Sequence, residues 1–245
     1  MSTAAVLRSE WIKIRTLRGT AWSLLAVFLL TAGFAVAANA ALGDSEADSA
    51  DFDALFSVFL GLNLGQSAAI SFGTMAMSSE YQGGAIHASL TAVPNRSLFY
   101  AAKLANVAGL ALVMGLVTTF VSFLGGSAFL GDAALSLGDG DALRACLGGA
   151  VYLALMALFA AGLTAVLRSG LAVLSILIPF ILIVSMILGE TSGSLADYLP
   201  DRAGQQVLYV DPPSDLAPWA GLGVTALWTG AAVLAGWWSL RRRDA

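Results

Sequence analysis

LANVAGLALVMGLVTTFVSFLGGSAFLG, residues 104–131, runs for 28 positions without a charged side chain. A helix rising 1.5 Å per residue needs about 20 apolar residues to cross the hydrocarbon core of a bilayer. Five more charge-free runs flank it: Gly19–Gly43, Ala54–Ser79, Ala145–Leu167, Ser169–Gly189 and Leu216–Leu240, none shorter than 21 residues. A charge at the centre of a span costs roughly 2.5–3.5 kcal/mol on insertion scales, so such runs are what spanning helices leave in a sequence. The fold class is therefore an all-α integral membrane protein, a single transmembrane domain over 1–245. Six transmembrane helices are expected at about 20–42, 54–77, 104–125, 146–167, 171–188 and 217–238.

The connections alternate in charge. Arg8, Lys13, Arg15, Arg18, Arg96, Lys103, Arg168, Arg241, Arg242 and Arg243 fall on one side, leaving only Arg144 and Arg202 on the other. Of the acids, Glu10, Glu80 and Asp244 accompany the bases and thirteen lie opposite. The Lys/Arg bias sets orientation, so the basic side and both termini are expected to be cytoplasmic in a multi-pass protein of the cell membrane. A chain that is 58% hydrophobic and 11% charged is no soluble domain. Its scattered bases give no nucleic-acid groove.

Ahead of the first span, residues 4–18 carry Val6, Leu7, Trp11, Ile14 and Leu17 on one helical stripe with Arg8 and Arg15 opposite. An interfacial helix is expected there, with Trp11, Arg15 and Arg18 as anchors. The first apolar run exceeds the roughly 7–15 residues of a signal-peptide core, so no cleaved leader is expected. Two loops have real length. The 78–103 connection is cytoplasmic: Gly83-Gly84 breaks the incoming helix, Ala85 to Ala92 form two turns, and Val93-Pro94-Asn95 turns the chain back. Ile86 and Leu90 make one apolar face, which either docks a partner or packs beneath its own bundle. The 189–215 loop is extracellular, acidic and proline-punctuated, and is expected to cap the bundle or gate it.

On the second span Asn63, Gln66, Ser67 and Ser71 form a polar stripe, which either packs between helices or lines a translocation path or dimer interface. Pro179 is expected to kink the fifth span. No phosphate-binding glycine loop, His-Glu-x-x-His zinc motif or Gly-x-Ser-x-Gly elbow occurs. Asp139-Gly140-Asp141 lacks the later ligands of a calcium loop. His87 reads as a solvated loop residue and Cys146 as an apolar filler. The chain is thus expected to be no enzyme, with no metal site and no cofactor of its own. No Asp, Glu, Lys or Arg lies deep in a span, so uphill transport would draw its energy from another chain.

Glu80, Gly84, Ala85, Ile86, Leu90, Pro94, Arg96 and Lys103 follow in that order, and the N-terminus reads Arg8-Ser9-Glu10-Trp11-x-Lys13-x-Arg15. This layout resembles the six-span permease subunit of type-2 ABC exporters, whose typical Glu-x-x-x-Gly-Thr is here Glu-x-x-x-Gly-Ala with Gln82 in place of a common Arg. The resemblance implies that 4–18 is an elbow helix. Glu80, Tyr81, Gly84, Ile86, Leu90, Pro94 and Arg96 would then form the coupling element for a separate ATPase subunit carrying ATP and magnesium. It further implies a second permease copy, as homodimer or paralogue, meeting this one along the second and fifth spans. Glu80 would pair with a base on the ATPase, or with Arg15 or Arg18. Two other readings remain, a membrane scaffold docking a soluble partner and a passive channel, and the substrate is not legible.

Overall fold

A computed structural model describes residues 3–16, 18–46, 53–131, 135–185, 187–188 and 193–242; the side chains of 15, 42–46, 83, 193 and 194 lie outside that description. The expected roles of Arg15 and Leu17 therefore fall outside the described residues. The described chain is helical and contains no strand. Helix α1 covers Thr3–Thr16, α2 Arg18–Phe28, a π turn Leu29–Gly33, α3 Phe34–Glu46, α4 Ala54–Val58 and α5 Leu62–Ser78. Then follow α6 (Ala85–Ala92), α7 (Arg96–Ser127), α8 (Gly140–Leu167), α9 (Gly170–Pro179) with a π turn at Phe180–Val184, α10 (Pro200–Gln205) and α11 (Pro218–Arg242).

Among the described residues, four helices are long and apolar enough to cross a membrane: Arg18–Ala41, Arg96–Ser127, Gly140–Leu167 and Pro218–Arg242. The second and fifth charge-free runs are interrupted instead. Asp53 accepts a hydrogen bond from Phe56 N at 2.9 Å and caps α4. The chain then tightens through Phe59 N to Phe56 O and Leu62 N to Phe59 O before α5 begins. Gly61, in that turn, lies so close to the α2–α3 helix that a Cβ would sit 2.0 Å from Thr31 O. In the fifth run Pro179 closes α9 and a π turn takes over, as expected where the ring removes a backbone donor.

Helix α8 is the hub, packing against α5, α7 and α11. Small residues allow this. A Cβ on Gly73 of α5 would meet Ala157 O of α8 at 1.9 Å, and one on Gly162 would meet the Ala232 carbonyl carbon of α11 at 2.7 Å. Lipid offers no hydrophobic drive for helix association, so close backbone approach through small residues does that work. The outward surface is apolar: Leu171 is 78% and Leu227 74% exposed, with Val113, Leu124, Ile176 and Leu234 also outside. A soluble domain would hide such side chains, whereas a lipid-facing surface displays them.

The helices run alternately between two ends. One end collects α1, α6, the start of α7 and the close of α11, with Arg96 Nη1 donating to Leu240 O at 2.9 Å and Trp237 Nε1 to Ser97 Oγ at 3.0 Å. The other collects α4, α10 and the start of α8, where Phe56 stacks on Tyr209 at 4.2 Å and Val210 N donates to Asp53 Oδ2. The described part of the 189–215 loop, expected as a cap or a gate, is folded into the bundle. Pro200, Asp201, Ala203, Gly204 and Gln206–Leu208 are buried, and Thr225 Oγ1 donates to Pro200 O at 2.8 Å. Gly204 and Gly221 permit this, because a Cβ on Gly204 would collide with Tyr152 and one on Gly221 with Ala203 O.

Gly73→Ala should be costly, by about 3 kcal/mol or more, because backbone cannot retreat from a new methyl. Gly109→Ala, with nothing within 4 Å of its added Cβ, should stay within about 0.5 kcal/mol. Thermal melting of the purified chain in nanodiscs checks both.

Candidate functional site: a buried ion network at the basic end

Helix α1 turns Val6 and Ile14 onto the bundle, each about fully buried, and the same face brings Glu10 inward. Trp11 and Arg18 are exposed, while Ile12, on the expected polar side, is 51% exposed. Helix α7 begins early because Asn95 Oδ1 accepts from Leu98 N at 3.0 Å, and this places Lys103 two turns inside it. Lys103 has no exposed surface at all. Its Nζ lies 2.8 Å from Glu10 Oε2 and also donates to Glu80 Oε1. Lys13 completes the cluster, with Nζ 2.7 Å from Glu10 Oε1, 3.1 Å from Glu80 Oε1 and 2.9 Å from Ser89 Oγ. Ser89 in turn donates to Glu80 Oε2 at 2.7 Å.

Two carboxylates thus face two ammonium groups, and both acids are essentially buried. Such a set is stable only when every charge is matched, because desolvation costs several kcal/mol per ion. The geometry ties four elements together: α1 through Glu10 and Lys13, the turn after α5 through Glu80, α6 through Ser89, and α7 through Lys103. Burial alone would push the Glu80 carboxyl up, but Lys103, Ser89 and Lys13 outweigh it and hold the group below its ordinary 4.5. Burial alone would pull the Lys13 ammonium down, and its hydrogen bond to Glu10 with the charges of Glu80 and Glu10 leaves it above 10.5. Burial also raises the Tyr81 hydroxyl, against the opposing pull of Arg168.

Several expected residues sit differently from their first reading. Glu80 is 3% exposed and pairs with Lys13 and Lys103 rather than Arg18. Ile86 is not a projecting knob: it is 6% exposed and packs in a cluster with Val6, Met77, Val93, Phe99 and Tyr100. Leu90 lies against the same cluster. Of the two alternatives for that face, Ile86 takes the packed one, while Leu90 stays half-buried at the cluster's edge. The exposed side of α6 is His87, Ala88, Thr91 and Ala92, with Pro94 beyond. Gly84 holds φ +73°, a left-handed turn that begins α6 and that suits glycine. Glu10, Lys13 and Lys103 entered the sequence reading only as flanking charges and as parts of the family resemblance, and Ser89 not at all; the i,i+3 pairing of Glu10 with Lys13 was the signal present.

The polar stripe of α5 divides. Asn63 and Gln66 line a cavity at the far end, where Gln66 Oε1 accepts a very short hydrogen bond from Tyr152 OH. Ser71 donates to Ser67 O of its own helix at 2.8 Å, and Ser67 Oγ is buried with no hydrogen-bond partner among the described residues.

Lys103→Met should lower stability by about 3–5 kcal/mol, since it leaves two buried carboxylates to share the single ammonium of Lys13. The pH dependence has a definite sign. Glu80's contribution is present above 4.5 and lost as pH falls through its depressed value; Lys13's is present below 10.5 and lost as pH rises through its raised one. Melting temperature against pH should therefore show an acid limb below 4.5 that weakens in Glu80→Gln.

No curated protein matches the chain. Residues 6–186 match a family described as ABC-2 family transporter protein, a match that takes in the ion network, α6 and the spans up to the π turn after Pro179. Permeases of this family are non-catalytic membrane components that associate with an ABC ATPase. The chain belongs to the ABC-2 transporter family and is a transmembrane transport permease.

Proposed function

We propose that this chain is the permease subunit of an ATP-driven exporter in the cell membrane, working as a dimer with separate ATPase subunits that bind ATP and magnesium. Six spans complete the crossing: the four long helices, α4–α5, and α9 with its π turn. Both termini are cytoplasmic, since the basic end bears Arg8, Lys13, Arg18, Arg96, Lys103, Arg241 and Arg242. Arg241 and Arg242 lie over the Trp237 and Trp238 rings at 4.8 and 4.2 Å, an arrangement suited to the headgroup layer.

The observation that carries the reading is α6. This two-turn helix stands at the basic end, bracketed by the left-handed Gly84 and the exposed Pro94, and its Ser89 is wired into the buried ion network. A push on its outer face would pass through Ser89 and Glu80 to α1 and α7 as a unit, because the network permits no easy partial break. Glu80, Tyr81, Gly84, Ile86, Leu90 and Arg96 act here as the mount of the coupling helix. Its contact with the ATPase is through His87, Ala88 and Thr91. A groove of about 300 Å³ between α1 and α6, lined by Lys13, Thr16, Ala85 and Ala88, adjoins that face.

Asn63 and Gln66 belong to the path, on the side of the second and fifth spans where the second permease copy docks. Trp11, with Arg15 and Arg18, anchors α1 in the headgroups.

The test is reconstitution with the ATPase that co-purifies with the chain. Ala88→Asp and Thr91→Asp should each lower ATP-dependent export about tenfold or more while membrane insertion and melting stay unchanged. Unaltered export in both variants, or uphill transport by the chain alone, would contradict the proposal.

A further inference from the structure

The cavity at the end opposite α6 has a volume of about 370 Å³ and lies between α4, α5, the π turn after α9, and α10. Two of its buried oxygens are without a hydrogen-bond partner among the described residues. Asp201, 4% exposed, and Ser185, 1% exposed, both line it. Ser185 faces the Asp201 carboxyl, yet neither Ser185 Oγ nor Asp201 Oδ1 closes a hydrogen bond among the described residues. A buried carboxylate oxygen with no donor is an expensive group to keep. The Asp201 carboxyl meets the Asp201 and Arg202 backbone N–H groups in the first turn of α10, but it joins no ion pair within 4 Å among the described residues.

The next residue supplies the opposite charge. Arg202 is less buried and lines both this cavity and a neighbouring one of about 240 Å³. It likewise makes no ion pair among the described residues, although it follows Asp201 directly on a helix. Consecutive helical residues point about 100° apart, so the two side chains leave α10 in different directions, although the Arg202 charge still favours the ionised Asp201 carboxyl. Between them lie apolar and aromatic walls, Phe56 stacked on Tyr209 and Ile181 with Leu182.

We propose that this cavity binds a small zwitterion, with its primary ammonium on Asp201 and Ser185 and its anionic group on Arg202. An ammonium offers three donors, which match the vacant Asp201 Oδ1, the Ser185 hydroxyl and the amide oxygen of Asn63 at the same wall. The aromatic stack suits the cationic end, and the guanidinium is a planar fork for a carboxylate or phosphate. Two sources share that chemistry, an amino-acid or short-peptide solute and an ethanolamine-phosphate lipid headgroup. The inference stands on the cavity and holds whether or not an ATPase drives the chain.

Calorimetric titration of the full chain in phosphatidylglycerol nanodiscs, whose lipids carry no ammonium, tests it without any ATPase. The probes are alanyl-alanine and glycerophosphoethanolamine, with butylamine and butyrate as half-molecules. At least one zwitterion should bind with a Kd below about 1 mM, and each half-molecule roughly tenfold more weakly. Asp201→Asn and Arg202→Gln should each weaken the zwitterion by roughly tenfold or more. Binding of the dipeptide alone assigns a solute, and binding of the headgroup alone a lipid. Arg202 is partly exposed, so Arg202→Gln decides the matter if Asp201→Asn fails to fold. Failure of both zwitterions to bind, or binding that neither variant alters, would overturn the assignment.

Discussion

A lysine ammonium with no exposed surface must be compensated where it stands, and the basic end of this protein is organised around that requirement. Lys103 is held by Glu10 from α1 and Glu80 from the turn after α5. Neither acid would be tolerable there without it, and Lys13 and Ser89 close the remaining bonds. The consequence is mechanical. Elements far apart in sequence become one body, and α6 is mounted on it through Ser89 and through Ile86 in the apolar cluster behind it. Such a cluster favours all-or-none movement, because any partial separation exposes a charge to an apolar surrounding.

The opposite end follows a different logic. Its polar groups, Asn63, Gln66, Tyr152, Gln205 and Asp201, are gathered by a loop that folds back into the bundle. Gln205 reaches Tyr152, twelve residues into α8, which places α10 about 18 Å along that helix. The result is a polar cavity at depth beside a bundle otherwise sealed by glycine and alanine contacts. One end thus matches its charges internally, and the other keeps buried polar oxygens without a partner among the described residues.

Much of the architecture was legible because lipid punishes charge. The long charge-free runs mark the helical segments, and the Gly83-Gly84 and Pro94 punctuation brackets α6 at Ala85–Ala92. The breaks were less visible. Residues 59–61 contain no proline or charge, and the turn there depends on Gly61 meeting Thr31 of another helix. The ion network was hidden for the same reason: Lys103 and Glu10 lie 93 positions apart, and each reads alone as an ordinary flanking charge. Ile86 and Leu90 have a spacing that serves docking and burial equally, and only the apolar cluster of Val6, Met77, Val93, Phe99 and Tyr100 around Ile86 decides. The 189–215 stretch was read as a cap or a gate, and only Gly204 and Gly221 hint how closely its described part is drawn against α8 and α11.

The mounting of α6 on buried charge is measured most directly by hydrogen exchange of the 85–92 amides in nanodiscs, comparing the native chain with Lys103→Met. If the network holds α6, exchange there and in 3–16 accelerates strongly while the 200–208 segment at the other end is unaffected. Equal exchange in both proteins, or acceleration spread evenly over the whole molecule, would contradict it.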